Sequence, residues 1–154
     1  MANVTHSSLT GADLHEPKGV ETANSEDVYV ADGSGSGAWK GQSLLLDLKL
    51  TDISSSFDRY VPIPVACKAL HITTALSDAI SGSDLVLTVK NAAGSSMGTI
   101  TVTQSGSAAG DIDTLTPSSN NTFAANTALE IEGNGGPSSH KDLDVTILLE
   151  RVTS

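Results

Sequence analysis

Apolar and polar side chains alternate with a period of two in a series of short runs from residue 43 onward. In the run SLLLDLKL at residues 43–50, every second residue is a leucine on one face, while Asp47 and Lys49 lie on the other. Successive side chains of a strand point to opposite faces of a sheet, so this period predicts half-buried β-strands. Clusters of Gly, Ser, Asn, Asp and Pro separate the runs, and no run has the period of an amphipathic helix.

About eight such strands over residues 43–154 predict an all-β body, an antiparallel two-sheet sandwich for which a jelly roll is the preferred topology. The run YVPIPV at residues 60–65 contains two prolines, which cannot donate ladder hydrogen bonds, so it is predicted at a sheet edge. The inward-facing apolar residues of the runs form the predicted core: Leu44, Leu46, Leu48, Leu50, Leu70, Ile72, Leu85, Leu87, Val89, Ile100, Val102, Leu129, Ile131, Leu143, Val145, Ile147 and Leu149.

Residues 1–42 lack this pattern and are predicted to form an extended N-terminal arm. Their first apolar side chains come singly, as at Leu9, Leu14 and Val20, and such a segment cannot bury a core of its own. The runs VYV and AWK, near residues 28–40, flank an Asp-Gly pair that permits a tight turn. We therefore expect a small hairpin there, covered by an aromatic side chain and lying either on the body or on a partner.

The charge of the chain argues against nucleic acid as a partner. Eight basic residues against 18 acidic ones give a net charge of −10, whereas affinity for a phosphate backbone comes from Lys and Arg. No apolar run approaches the roughly 20 residues that cross a bilayer, so no membrane partner is expected. The chain begins without a basic segment followed by an apolar one, and its single cysteine cannot form an intrachain disulfide. Synthesis in a cytoplasm is therefore expected.

Residue types that could carry chemistry are present, but their spacing favours structural roles. His6, His15, His71 and His140 have no zinc-type spacing, so no metal site is expected. Acids at positions i and i+2 share a strand face about 7 Å apart and could hold calcium or act as general acid and base. A solvated strand face is the favoured explanation, because no complete calcium loop accompanies them. The pairs are Asp111 with Asp113, Glu130 with Glu132, and Asp142 with Asp144.

The sequence contains no recognisable nucleophile or phosphate-binding motif. No serine lies in a G-x-S-x-G motif or in an S-x-x-K pair with its companion motifs, and the lone Cys67 is more typical of a buried small residue than of a reactive thiol. The G-S-G-S-G run at residues 33–37 lacks the Lys-Ser/Thr of a phosphate loop. We therefore expect no catalytic residue, no cofactor and no enzymatic activity.

The segment LTGADLHEPKGVETANSEDVYVADGSGSGAW at residues 9–39 resembles a short N-terminal segment of structural proteins of tailed bacteriophages. HEPKGV at residues 15–20, VYVADG at residues 28–33 and Trp39 carry the resemblance. It implies a virion component in which this segment attaches a C-terminal module to the particle. Small jelly rolls that follow such arms look like capsid decoration (cement) proteins, which are often trimers on the outer capsid surface.

These features predict a non-enzymatic phage head decoration protein, made in the host bacterial cytoplasm, that binds the major capsid protein on the virion surface and stabilises the capsid. The outward apolar residues Leu45, Val86 and Leu148 predict a surface that is buried between subunits. The resemblance implies that the oligomer is a homotrimer. The alternative is a head-fibre, tail-fibre or tailspike-associated subunit whose sandwich binds glycan. Only three aromatic residues occur in the body, which favours decoration. The arm residues expected to bind the partner are Leu9, Leu14, His15, Pro17, Val20, Tyr29 and Trp39.

Overall fold

Eleven β-strands occur in the residues described by the computed structural model, which are residues 23, 27–31 and 37–152. No helix occurs within these ranges, so none of the described residues forms a helix able to cross a membrane. The chain divides after residue 42 into two units, residues 1–42 and 43–154. The strands are β1 (Val28–Ala31), β2 (Gly37–Lys40), β3 (Ser43–Leu50), β4 (Phe57–Ile63), β5 (Cys67–Leu76), β6 (Leu85–Lys90), β7 (Ser96–Val102), β8 (Ile112–Leu115), β9 (Thr122–Phe123), β10 (Thr127–Gly133) and β11 (Leu143–Arg151).

Strands β3 to β11 form the body as two antiparallel sheets. One sheet has the order β3-β11-β5-β8, and the other has the order β4-β10-β6-β7. The two-residue strand β9 extends the first sheet by pairing with the start of β5. This order, in which the chain changes sheet at every connection except β6–β7 and β8–β9, is that of an eight-stranded jelly roll. The predicted all-β sandwich with jelly-roll topology is therefore confirmed, and β9 is an additional short strand.

The core lies between the inner faces of the two sheets. All of the predicted core positions in β6, β7, β10 and β11 are buried, as the alternation indicated. On the edge strand β3, Leu50 is buried, whereas Leu44, Leu46 and Leu48 are partly buried against the core. Strand β4 also lies at a sheet edge, with β10 as its neighbour, as its prolines predicted.

Leu70 is not a core residue, so the prediction for it was wrong. The pairing register of β5 and β11 shifts between Leu148 and Leu149, because Leu70 is an extra residue without an opposite partner. A β-bulge of this kind interrupts the alternation of side chains. Ala69 before the bulge and Ile72 after it are both buried, while Leu70 is half-buried.

Candidate partner-binding site

Tyr29 and Trp39 are the two predicted contact residues that the structure describes, and it brings them together. They lie opposite each other in the antiparallel β1–β2 pair, with ring centroids 5.4 Å apart and an interplanar angle of 66°. An edge-to-face pair of this kind contributes about 0.5–1.5 kcal/mol beyond the area it buries. The other predicted contact residues, Leu9, Leu14, His15, Pro17 and Val20, lie outside the described residues.

Gly37 leaves room for the Tyr29 ring on this face of the hairpin. A Cβ atom added at Gly37 would lie 2.9 Å from two atoms of that ring, closer than real Cβ contacts allow. The sequence indicated only a turn or linker for this glycine, because ring packing across a strand pair is not visible in a linear pattern. On the opposite face, Val28 and Val30 are about half exposed, at 48% and 47%. The hairpin therefore presents one aromatic face and a second face on which Lys40 lies opposite Val28.

A lysine lies beside each of two predicted acid pairs. Lys90 Nζ is 2.5 Å from Glu132 Oε2 and 3.6 Å from Glu130 Oε1, and the hydrogen bond to Glu132 is the main cause that raises the pKa of Lys90. Lys49 Nζ is 2.9 Å from Asp142 Oδ2, and this hydrogen bond lowers the pKa of Asp142. Each ammonium group neutralises part of the negative charge of the neighbouring carboxylates, and that negative charge is what would hold a bound cation.

The third acid pair, Asp111 and Asp113, lines a polar cavity of about 190 Å³ between the end of β7 and the start of β8. Asp111 Oδ2 accepts a hydrogen bond from Ala108 N at 2.7 Å. Burial, and secondly the charge of Asp111, raises the pKa of Asp113. Among the residues that the structure describes, no three His, Cys, Asp or Glu side chains come together as a metal site would require.

The structure also forms a charged cluster that the sequence did not indicate. His140 Nδ1 is 3.5 Å from Asp52 Oδ2, and His140 Nε2 is 3.6 Å from Asp142 Oδ1. Asp52 Oδ1 accepts hydrogen bonds from both the hydroxyl and the amide of Ser54, which lowers the pKa of Asp52. Asp52 and His140 belong to different loops that are distant in sequence, so no local motif could have revealed their proximity.

A row of two leucines and one histidine crosses the outer face of the β3-β11-β5-β8 sheet. Leu45, which is 57% exposed, lies opposite Leu148, and Leu148 lies opposite His71. We call Leu45, Leu148 and His71 the outer row. His71 Nδ1 is 3.0 Å from the hydroxyl of Thr116.

Cys67 is fully buried, and burial raises the pKa of its thiol, which disfavours a reactive thiolate.

No protein-family model matches the chain, and no curated protein matches it. Among solved structures, the chain is similar to a chain of the cyanophage Pam1 capsid asymmetric unit, with a TM-score of 0.51, 17% identity, and coverage of 84% of this chain and 98% of that chain. It is also similar to the catalytic domain of a GH87 α-1,3-glucanase in complex with nigerose (TM-score 0.38, 14% identity, coverage 86% and 29%). A structure of infectious bursal disease virus Gx strain matches with a TM-score of 0.28 (14% identity, coverage 77% and 39%).

The likeness to the phage chain identifies a shared fold, an all-β sandwich that accounts for almost the whole of that chain. The TM-scores of the other two matches are too low to indicate a common architecture.

Proposed function

We propose that the chain is a non-enzymatic structural protein of a tailed-phage virion, a head decoration (cement) protein that binds the outer capsid surface and stabilises it. The observation that carries this proposal is the jelly-roll body, whose fold is shared with a chain of a cyanophage capsid asymmetric unit. The resemblance of residues 9–39 to N-terminal segments of phage structural proteins supports the same role from a different part of the chain.

In this proposal, residues 1–42 attach the body to the major capsid protein. The contacts come from the separated apolar residues of the arm and from the Tyr29–Trp39 pair. Large aromatic side chains dominate the energetics of many interfaces, because they bury much area at a low cost in side-chain entropy. Several arms held by one oligomer raise each other's effective concentration at the particle, so individually weak contacts become durable.

The body supplies the oligomer, a homotrimer in which the outer row lies between copies. Leu45 is more than half exposed and adjoins Leu148 on the neighbouring strand. Apolar side chains that are contiguous on a surface mark interfaces more often than single exposed ones do. In a trimer, the row of one copy contacts a different surface of the next, and the rotation closes after three copies.

The test of attachment uses phage particles stripped of this protein and the purified full chain in a co-sedimentation assay. We expect the full chain to bind. A chain of residues 43–154 should melt at nearly the same temperature as the body of the full chain but should not bind. Trp39→Ala should raise the Kd for the particle roughly tenfold or more. Tyr60→Ala is the matched control, since Tyr60 is an exposed aromatic residue outside the arm. Full binding by residues 43–154 would remove the attachment role.

One observation favours the alternative of a fibre-associated, glycan-binding subunit. Tyr60 is 62% exposed on β4, as a sugar-stacking ring would be. Phe123 is buried and Phe57 packs against the core, so Tyr60 is the one exposed ring among the three aromatic residues of the body. Binding of host glycan by the wild-type chain, lost in Tyr60→Ala, would favour this alternative over decoration.

A further inference from the structure

The two ends of the jelly-roll body differ sharply in charge. The loops at one end carry five aspartates, one lysine and one histidine, and we call it the charged end. The loops at the other end contain no Asp, Glu, Lys, Arg or His, and we call it the uncharged end. The charged end comprises residues 51–56, 77–84, 103–111 and 134–142, and the uncharged end comprises residues 64–66, 91–95, 116–121 and 124–126.

Hydrogen bonds join the loops within each end. At the charged end, Ile53 N donates to Lys141 O at 2.9 Å, which ties the loop after β3 to the loop before β11. At the uncharged end, Asn91 Nδ2 donates to Asn120 O at 3.2 Å, and Asn120 Nδ2 donates to Ser96 O at 2.9 Å. At each end, therefore, hydrogen bonds hold at least two of the loops together.

The chain enters and leaves the body at the uncharged end. Strand β3 begins at Ser43, directly after the arm, and Ser43 lies opposite Glu150 near the end of β11. Beyond β11, Val152 N donates to Ala66 O at 3.0 Å, which places the last described residue against an uncharged-end loop. An arm that reaches a particle from Ser43 therefore starts at the uncharged end.

An uncharged surface is also the less costly one to bury. Removing an ion from water costs several kcal/mol unless a partner compensates it, whereas hydroxyl and amide groups need only hydrogen bonds. Charges on the adjoining strands lie close to these loops. Lys90 directly precedes residues 91–95 and pairs with Glu132 at 2.5 Å. Lys68 and Glu150 lie opposite each other and have opposite signs, and Arg151 follows Glu150 at the end of β11. The charged end, with its excess of aspartates, is better suited to remain in water.

We infer that the uncharged end is the face that docks on the particle, with the charged end directed toward solvent. This inference rests on the proposed function, and it adds a second contact surface, on the body, to the contacts of the arm. The occupant is the particle rather than a second copy of the chain, because the arm, which the proposed function attaches to the particle, is joined to the body at Ser43, at this end. The outer row, on a sheet face, remains for contacts between copies.

Two triple variants of the full chain, matched in added charge, test this orientation. All six substitutions are at exposed loop positions and each introduces one glutamate, so both variants acquire the same net charge. The uncharged-end variant carries Ala92→Glu, Ser118→Glu and Ala125→Glu, and the charged-end variant carries Ala79→Glu, Ser105→Glu and Ala109→Glu. Binding to stripped particles, thermal melting and mass by light scattering are measured for both and for the wild type.

We expect the uncharged-end variant to melt like the wild type and keep its oligomeric mass, but to bind particles with a Kd raised roughly tenfold or more. The charged-end variant should bind within about twofold of the wild type. Equal binding by the two variants would overturn the orientation and leave the proposed function intact. A change of oligomeric mass in the uncharged-end variant, with particle binding retained, would make this end a contact between copies and would also overturn it. Failure of the wild type to bind would remove both.

Discussion

We expect Asn121→Ala to lower the free energy of unfolding of the body by about 2–4 kcal/mol, because its side chain replaces a missing strand neighbour. Strand β8 pairs with β5 from Ile72 onward, and β9 pairs with the first two residues of β5, so neither strand pairs with Ala69. Asn121 fills this gap. Its main-chain carbonyl accepts from Ala69 N at 2.8 Å, and its side-chain Nδ2 donates to Ala69 O at 2.8 Å and to Pro117 O at 3.2 Å.

The magnitude follows from the burial of these groups. Asn121 is 6% exposed and Ala69 is fully buried, so water cannot readily replace the lost donor. A buried acceptor left without a partner costs about 1–3 kcal/mol, which applies to Ala69 O, and the longer bond to Pro117 O adds about 1 kcal/mol, so the two losses together give about 2–4 kcal/mol. In a body of this size, the loss corresponds to a fall in Tm of roughly 10 °C. Asn121→Asp should cost more, because a carboxylate would then face those same oxygens.

Urea denaturation followed by circular dichroism at 25 °C measures the effect, with thermal melting as a second readout. The control is Ser119→Ala, an exposed position in the same loop, which should change the free energy of unfolding by less than about 0.5 kcal/mol. If Asn121→Ala were as stable as Ser119→Ala, the side chain would not be supporting β5, and the reasoning would be refuted.

The acid at Asp113 and two neighbouring residues of β11 allow further tests. Burial raises the pKa of Asp113, so the folded protein holds this proton more tightly than the unfolded chain, and stability is lost as pH rises through the raised pKa. Asp113→Asn should therefore melt slightly higher than the wild type at pH 7 and equally below about pH 3.5, and equal melting at pH 7 would contradict this. Ile147 is fully buried, so Ile147→Asp should abolish cooperative thermal unfolding. Leu148→Asp, on the outer row, should lower the Tm by less than about 5 °C but reduce the oligomeric mass measured by light scattering, whereas an unchanged mass would exclude the row from the interface.

Sequence alternation was sufficient to predict which residues of β6, β7, β10 and β11 face the core, because the side-chain period of a strand is a local property of the backbone. It was not sufficient at Leu70. The bulge there is defined by the register between β5 and β11, and pairing between distant strands is not encoded in either run alone. The alternation could therefore suggest a jelly roll, but it could not give the order of the strands, because that order depends on which distant strands pair in each sheet.

The candidate site divides in a similar way. The runs around Asp32-Gly33 predict a hairpin with an aromatic cover, but only the folded chain sets the edge-to-face packing of Tyr29 on Trp39 and the space that Gly37 leaves for it. Composition alone determined the acidity of the chain. The separation of that acidity into a charged end and an uncharged end was decided by tertiary structure, because antiparallel pairing carries alternate loops to opposite ends of the sandwich.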